Sequence, residues 1–147
     1  YSISYCSNNY GRYQNREKLI PKIIRSCLHR NKIPIYGKGL NIRDWIYVED
    51  HCEGIYKFIF NKRHMTEIMF GGNTKINNLN LTKKIVKIIE RKTNLENLKK
   101  LITFVKDRKG HDLSYQVSLE SSKRIKWKPR TDLDKGLNNT IEWYLEN

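Results

Sequence analysis

Two short runs hold the side chains best suited to chemistry in this 147-residue chain: Arg43-Asp44-Trp45, and Asp107-Arg108-Lys109-Gly110-His111-Asp112. A guanidinium is a planar fork that matches two phosphate oxygens at once. The second run adds an imidazole and a glycine just after an apolar stretch, and loops at strand ends are where open α/β sheets bind ligands. Each run also has a plainer reading, in which its charges satisfy one another: Arg43 with Asp44, and the 107–112 turn within itself. Asn8-Asn9 follows an alternating apolar stretch, so its amides either cap turns or hydrogen-bond a polar ligand. Asp50-His51-Cys52-Glu53 lines up four metal-binding residue types. Consecutive helical positions point about 100° apart and cannot converge on one ion, so a helix start with Asp50 as its cap accounts for them better. His29 and His64 sit among basic residues and are expected to be solvated.

No catalytic set closes on itself. The sequence has no G-x-G-x-x-G, no P-loop and no G-x-S-x-G, and Gly37-Lys38-Gly39 is too short for a phosphate loop. Cys6, Cys27 and Cys52 are odd in number and lack metal-type spacing, which suits reduced thiols in a cytoplasmic protein.

The elements that must position these residues alternate in type. Tyr1, Ile3 and Tyr5 share one face of a strand pattern over 1–6, followed by a turn-rich stretch over 7–14. A chain that opens inside a strand is expected to lack sequence upstream. Residues 17–30 predict a helix with Leu19, Ile20, Ile23, Ile24, Cys27 and Leu28 on one stripe, Pro21 being tolerated in its first turn. Short strands are predicted over 33–36 and 42–48, then a helix over 50–61 with Ile55, Phe58 and Ile59 inward. A strand at 68–70 precedes a helix capped by Asn80 and running to 92. Strand character returns at 101–105, and helices are predicted over 118–126 and 133–145. This is an α/β or α+β pattern with no internal domain boundary, so residues 1–147 are taken as one unit.

Composition narrows the function classes. There are 29 Lys+Arg against 15 Asp+Glu, a formal charge of +14. The basic residues are 19 Lys and 10 Arg, alongside 18 Ile, 15 Asn and no Ala. Lys, Ile and Asn have AT-rich codons, so base composition explains much of the charge. The cations are scattered, without the runs and interleaved aromatics of nucleic-acid-binding modules, and no nucleic-acid partner is expected. No apolar run approaches the roughly 18 residues needed to cross a bilayer, so no membrane association is expected either.

Seven segments occur in one order: CSNNYG (6–11), EKLIP (17–21), PIYGKG (34–39), RDWIYVEDH (43–51), DRKGHD (107–112), WKP (127–129) and TIEWYLEN (140–147). Together they resemble the C-terminal half of the dTDP-glucose 4,6-dehydratases, nucleotide-sugar lyases of the extended short-chain dehydrogenase/reductase superfamily. The resemblance implies an α/β fold: the last strands of a Rossmann-type sheet plus a small mixed α/β substrate lobe. It implies a reaction in which bound NAD takes a hydride from C4 of the glucose ring, water is eliminated across C5 and C6, and the hydride returns at C6. The glycine-rich loop, the Tyr-x-x-x-Lys pair and the acid–base residues of that reaction belong to an N-terminal half outside this sequence. No catalytic residue and no metal ligand is therefore assigned, and the chain alone is expected to be inactive.

Site residues carried over by the resemblance are Asn8 near the nicotinamide end of NAD, and Asn9, Lys18, Leu19, Pro34, Ile35, Tyr36, Arg43, Asn78, Asp107, Arg108, Lys109, Gly110 and His111 on the substrate dTDP-glucose. Within this set Pro34, Ile35 and Tyr36 lie along the base, Arg43 meets the diphosphate, and 107–111 closes over the ribose and phosphates. The family's intact form is expected to be a cytoplasmic homodimer. Three departures stand out: Arg12 and Lys109 replace family prolines, and Ile68-Met69-Phe70-Gly71-Gly72 replaces Tyr-Asn-Ile-Gly-Gly. Alternative readings are a non-catalytic nucleotide-binding remnant, or a related NAD-dependent nucleotide-sugar epimerase or dehydratase. Strand 1–6 would be an unpaired apolar edge without the missing half, so the isolated chain is expected to be poorly soluble or molten.

Overall fold

A computed structural model describes residues 1–61, 65–107, 114 and 117–147. In chain order the elements are β1 (Ile3–Cys6), β2 (Asn8–Tyr10), α1 (Leu19–Leu28), β3 (Ile33–Tyr36), β4 (Ile42–Tyr47), α2 (Val48–Ile59), β5 (Glu67–Phe70), β6 (Lys75–Asn77), α3 (Asn78–Lys92), a 3-10 turn (Leu98–Leu101), β7 (Ile102–Val105), α4 (Glu120–Lys123) and α5 (Leu133–Glu146). The strands form three small sheets. β1 pairs with β5 and β3 with β7, both in parallel, while β4 is flanked by β2 in parallel and β6 in antiparallel. The class is mixed α/β, as the alternating pattern implies.

Two apolar clusters hold these sheets. The larger joins the stripes of α1 (Ile20, Ile24) and α3 (Ile85, Ile89) to Leu137 of α5 and to Ile33 and Ile35 of β3. Pro21 sits in the first turn of α1, where its missing N–H costs no hydrogen bond. The smaller cluster packs Ile46 of β4 with Ile68 and Phe70 of β5 and with Trp127. Gly72 lets the chain leaving β5 press against β4: a Cβ there would lie 1.6 Å from the Trp45 carbonyl oxygen.

The structure corrects several sequence expectations. The 7–14 stretch is not all turn, because Asn8–Tyr10 registers against Trp45–Tyr47 as β2. Lys75–Asn77, too short to show a period of two, is a further strand held by β4. Asp50 does not cap α2. It is buried, and one carboxylate oxygen accepts the backbone N–H groups of Arg130 (3.1 Å) and Thr131 (2.8 Å). The indole N–H of Trp127 meets the Asp50 carbonyl, so the VED and WKP motifs brace one another. The α3 cap is Asn77, whose side-chain oxygen accepts from Asn80 N–H at 2.7 Å; Asn80 lies one turn inside. Ile59 faces outward at 66% exposure, since the α2 stripe runs through Ile55 and Phe58 alone. The helix expected over 118–126 is the single turn α4. β1 is paired along one edge by β5, while Ile3, Tyr5 and Met69 stand exposed on its outer face.

Candidate functional site

The expected site residues fall into three groups. Asn8 and Asn9 lie on β2, fixed by their register with Trp45 and Ile46. Asn9 Nδ2 lies 2.5 Å from His51 Nδ1 on α2. An amide N–H can only donate, so Nδ1 is the acceptor and His51 is the neutral tautomer bearing its proton on Nε2. Burial keeps the His51 pKa below its ordinary value, in accord with a neutral ring. Gln14 Nε2 donates to the Asn9 carbonyl at 2.6 Å. With one side of each amide spent, the carbonyl oxygens Asn9 Oδ1 and Gln14 Oε1 are buried without a partner. Both residues line a 510 Å³ cavity whose mouth carries the Arg12–Glu49 ion pair (2.9 Å). Arg12, where the family has proline, thus adds a cation at the rim.

The second group gathers at the ends of β3, β4 and β7. Pro34 and Tyr36 pair with Thr103 and Val105. The chain then turns through Gly37, whose φ of +56° and lack of Cβ let Asp107 lie against it; a Cβ would come within 2.8 Å of the Asp107 carboxylate. Arg43 registers with Ile76, and its Nη1 donates to the Ile42 carbonyl. Asn78 opens α3, its backbone N–H on the Asn41 carbonyl and its Oδ1 buried without a partner. Ile35 differs from its neighbours: its side chain is 2% exposed in the larger core, so only its backbone is available to a ligand. Arg108, Lys109, Gly110 and His111 lie outside the described residues.

The third group is Lys18 and Leu19 at the start of α1. Lys18 is the exposed N-cap residue, and Leu19 packs partly against the core. His29 is exposed, as expected, and His64 lies outside the described residues.

Geometry bears on the Arg43–Asp44 alternative and on the 50–53 run. Asp44 is buried and its carboxylate takes the backbone N–H groups of Gly72 (2.9 Å) and Thr74 (2.6 Å). It therefore holds the β5–β6 connection and is not committed to its neighbour Arg43. Residues 50–53 diverge: Asp50 goes to the 130–131 backbone, His51 to Asn9, Cys52 to the cavity rim, and Glu53 to Lys57 (3.0 Å) and Arg130 (3.3 Å). Cys6, Cys27 and Cys52 form no disulfide with one another, and burial pushes the Cys27 thiol up to about 12. Sequence reasoning missed His51 and Gln14 as supports of Asn9; a donor–acceptor pair between separate elements leaves no local signal.

Asn9 and Gln14 thus carry unpartnered amide oxygens beside one cavity, and Arg43 lies across from β6, which Asn78 follows; such acceptors and a guanidinium suit hydrogen-bond donors and anions. Comparison with known proteins gives that arrangement a context. The family described as GDP-mannose 4,6 dehydratase matches residues 1–140. The chain is 40% identical over 153 residues to the dTDP-glucose 4,6-dehydratase of Haemophilus influenzae, covering 99% of this chain and 45% of that protein. Among solved structures, the dTDP-glucose 4,6-dehydratase of Bacillus anthracis in complex with NAD superposes with a TM-score of 0.86 at 38% identity, over 98% of this chain and 44% of that one. A double mutant of the Streptomyces venezuelae dTDP-glucose 4,6-dehydratase DesIV, with NAD and a further ligand bound, gives 0.90 at 34% identity, over 99% and 44%. The chain thus spans less than half the length of each of these relatives.

Proposed function

The chain belongs to the GDP-mannose 4,6-dehydratase family, and from that membership we propose that it is the sugar-nucleotide-binding portion of a dTDP-glucose 4,6-dehydratase. The observation that carries this reading is the pair of buried, unpartnered amide oxygens on Asn9 and Asn78, two residues the family pattern assigns to substrate. Leaving such an acceptor unsatisfied costs about 1–3 kcal/mol. A ligand bearing hydroxyl or N–H donors would remove that cost, and a sugar nucleotide has both. Arg43 then supplies the bidentate cation for the diphosphate, and Pro34 and Tyr36 flank the base. Asp107 and the 108–111 segment close over the ribose and phosphates in this reading. Lys18 and Leu19 complete the substrate contacts from α1.

The residues this chain contributes also fit one end of NAD. Asn8 is half-buried; the preceding Ser7 has a buried, unpartnered hydroxyl, and the register partner Trp45 has an unpartnered indole N–H. A carboxamide offers groups complementary to all three. NAD, when bound, supplies the hydride acceptor; the residues of this chain bind and orient. Residues 1–147 act as one binding unit, and the intact enzyme would turn dTDP-glucose into its 4-keto-6-deoxy derivative with loss of water, as a cytoplasmic homodimer. The reading makes no use of nucleic acid or of a membrane. No helix among the described residues is long and apolar enough to cross one.

Calorimetric titration of the chain with dTDP tests this. Saturable binding that weakens at least tenfold in Arg43→Ala supports it. Binding that Arg43→Ala leaves unchanged, or no heat at any concentration up to about 1 mM, a weak-binding limit, overturns it.

A further inference from the structure

A second cavity, of 640 Å³, opens beside the C-terminal ends of α1 and α5; it shares Tyr13 and Gln14 with the 510 Å³ cavity, and the sugar-nucleotide reading gives its other lining residues no role. Its walls combine two features that rarely meet by chance. One is an aromatic platform: the rings of Tyr13 and Trp143 lie 4.7 Å apart between centroids, and Trp143 packs edge-on to Tyr144 at 4.8 Å. The other is a set of cations, Arg16, Arg25 and His29. A smaller cavity of 180 Å³ shares those three and adds Lys22, Ser26 and Asn31. No Asp or Glu lines either space. Among the described residues, Arg16, Arg25 and His29 form no salt bridge, although Arg12, Lys57, Lys84, Lys92, Lys123 and Arg130 all do.

Like charges gathered with no acidic side chain lining the same space repel, so the cluster costs stability unless something anionic joins it. The C-terminus of α1 offsets part of the charge, but only about half a unit, against two guanidiniums that are always ionised. Both guanidiniums bear on the Tyr144 phenol, opposing the rise that burial gives its pKa. Both also line the two cavities together. Tyr144 is itself pinned, its hydroxyl donating to the Gln14 carbonyl at 2.8 Å. Tyr13 is 78% exposed and sits at φ +61°, a left-handed conformation unfavourable for a bulky residue. Strain held in an exposed aromatic beside a cavity is a mark of a binding position.

We propose that this pair of cavities is a second ligand site, adjoining the cavity beside Asn9 through Tyr13 and Gln14, and that it takes a free nucleoside phosphate. The base lies against the Tyr13–Trp143 platform, where stacking tolerates any base. The phosphates lie where the two cavities join, between Arg16 and Arg25, with Lys22 and Ser26 as further donors. The larger volume suits a small molecule, which favours a mononucleotide over a nucleic-acid strand.

Trp143 gives a direct readout, because Trp45 and Trp127 are buried at 5% and 2% exposure and Trp143 alone is partly open. Titrating the 147-residue chain with ADP is expected to quench tryptophan fluorescence saturably. Trp143→Phe abolishes the quench, the double variant Arg16→Ala/Arg25→Ala weakens it at least tenfold, and Arg43→Ala retains it. Inorganic pyrophosphate competes with ADP without quenching by itself. Both arginines are exposed, and circular dichroism of the double variant confirms that its fold is kept. The proposal is overturned by the absence of a saturable quench, by a quench indifferent to the double variant, or by one lost in Arg43→Ala.

Discussion

Asn9 illustrates how a binding residue is made at the scale of single side chains. Its amide N–H is committed to His51, which leaves the carbonyl oxygen buried without a partner on a residue that lines the 510 Å³ cavity with Gln14. His51 must be neutral to accept, and burial lowers its pKa. The unfolded chain therefore binds this proton more readily than the folded one. Stability from this group is complete above the ordinary imidazole value of about 6.5 and declines as pH falls from there toward the lowered folded value. Urea midpoints of wild type and His51→Phe are expected to diverge on acidification, the wild type losing more stability than the variant below about pH 6.5. Parallel pH profiles would show that His51 titrates alike in the folded and unfolded chain and would contradict the lowered value. Asp50 works at the same scale as a structural residue. Asp50→Ala strands two backbone N–H groups and is expected to cost about 1–3 kcal/mol in thermal or chemical unfolding, without weakening dTDP binding to the folded fraction.

The elements were legible in the sequence to different degrees, for physical reasons. α1, α3 and α5 each carry an apolar stripe over ten or more residues, which survives any local noise. β2 and β6 are three residues each and exist because β4 lies between them, so nothing within them announces a strand. The cap of α3 was placed at Asn80 because three asparagines crowd 77–80; only backbone direction shows that Asn77 is the residue outside the helix. Asp50 looks like a cap in sequence and serves as a bolt between α2 and the 130–131 backbone, a contact 80 residues away. Of the site, Arg43, the Asn8-Asn9 pair and the 107–111 loop stand out by residue type, whereas Asn78 and Lys18 come only through the resemblance. At this scale Gly72→Ala is the sharpest test of the fold. Its Cβ would overlap the Trp45 carbonyl, and overpacking against backbone has no rotamer to relieve it, so a loss of about 3 kcal/mol is expected. A melting point unchanged by Gly72→Ala would contradict the β4–β5 packing described here.

For the molecule as a whole, the outer face of β1–β5 is the conspicuous surface. Cys6, Ile68 and Phe70 turn toward the smaller core, while Ile3, Tyr5 and Met69 face solvent at 42%, 46% and 37% exposure. Parallel strands are ordinarily covered on both faces, and an open apolar edge recruits other strands. The chain covers less than half the length of the relatives it matches. The isolated chain is expected to self-associate through this face. Ile3→Lys together with Tyr5→Lys should raise the soluble fraction severalfold, measured by sedimentation, without altering the α1–α3–α5 core. Equal solubility of the two forms would locate the association elsewhere.

The binding of a sugar nucleotide is the centre of the account, and the most direct measurement of it is a 1H–15N NMR titration of the Ile3→Lys/Tyr5→Lys chain with dTDP-glucose. Saturable shifts of the Asn9, Tyr36, Arg43, Asn78 and Asp107 amides, together with the Asn9 and Asn78 side-chain amides, are expected. Shifts confined to α5 and the start of α1, or no shifts at all, would contradict the assignment of this chain as the sugar-nucleotide-binding portion of a dehydratase.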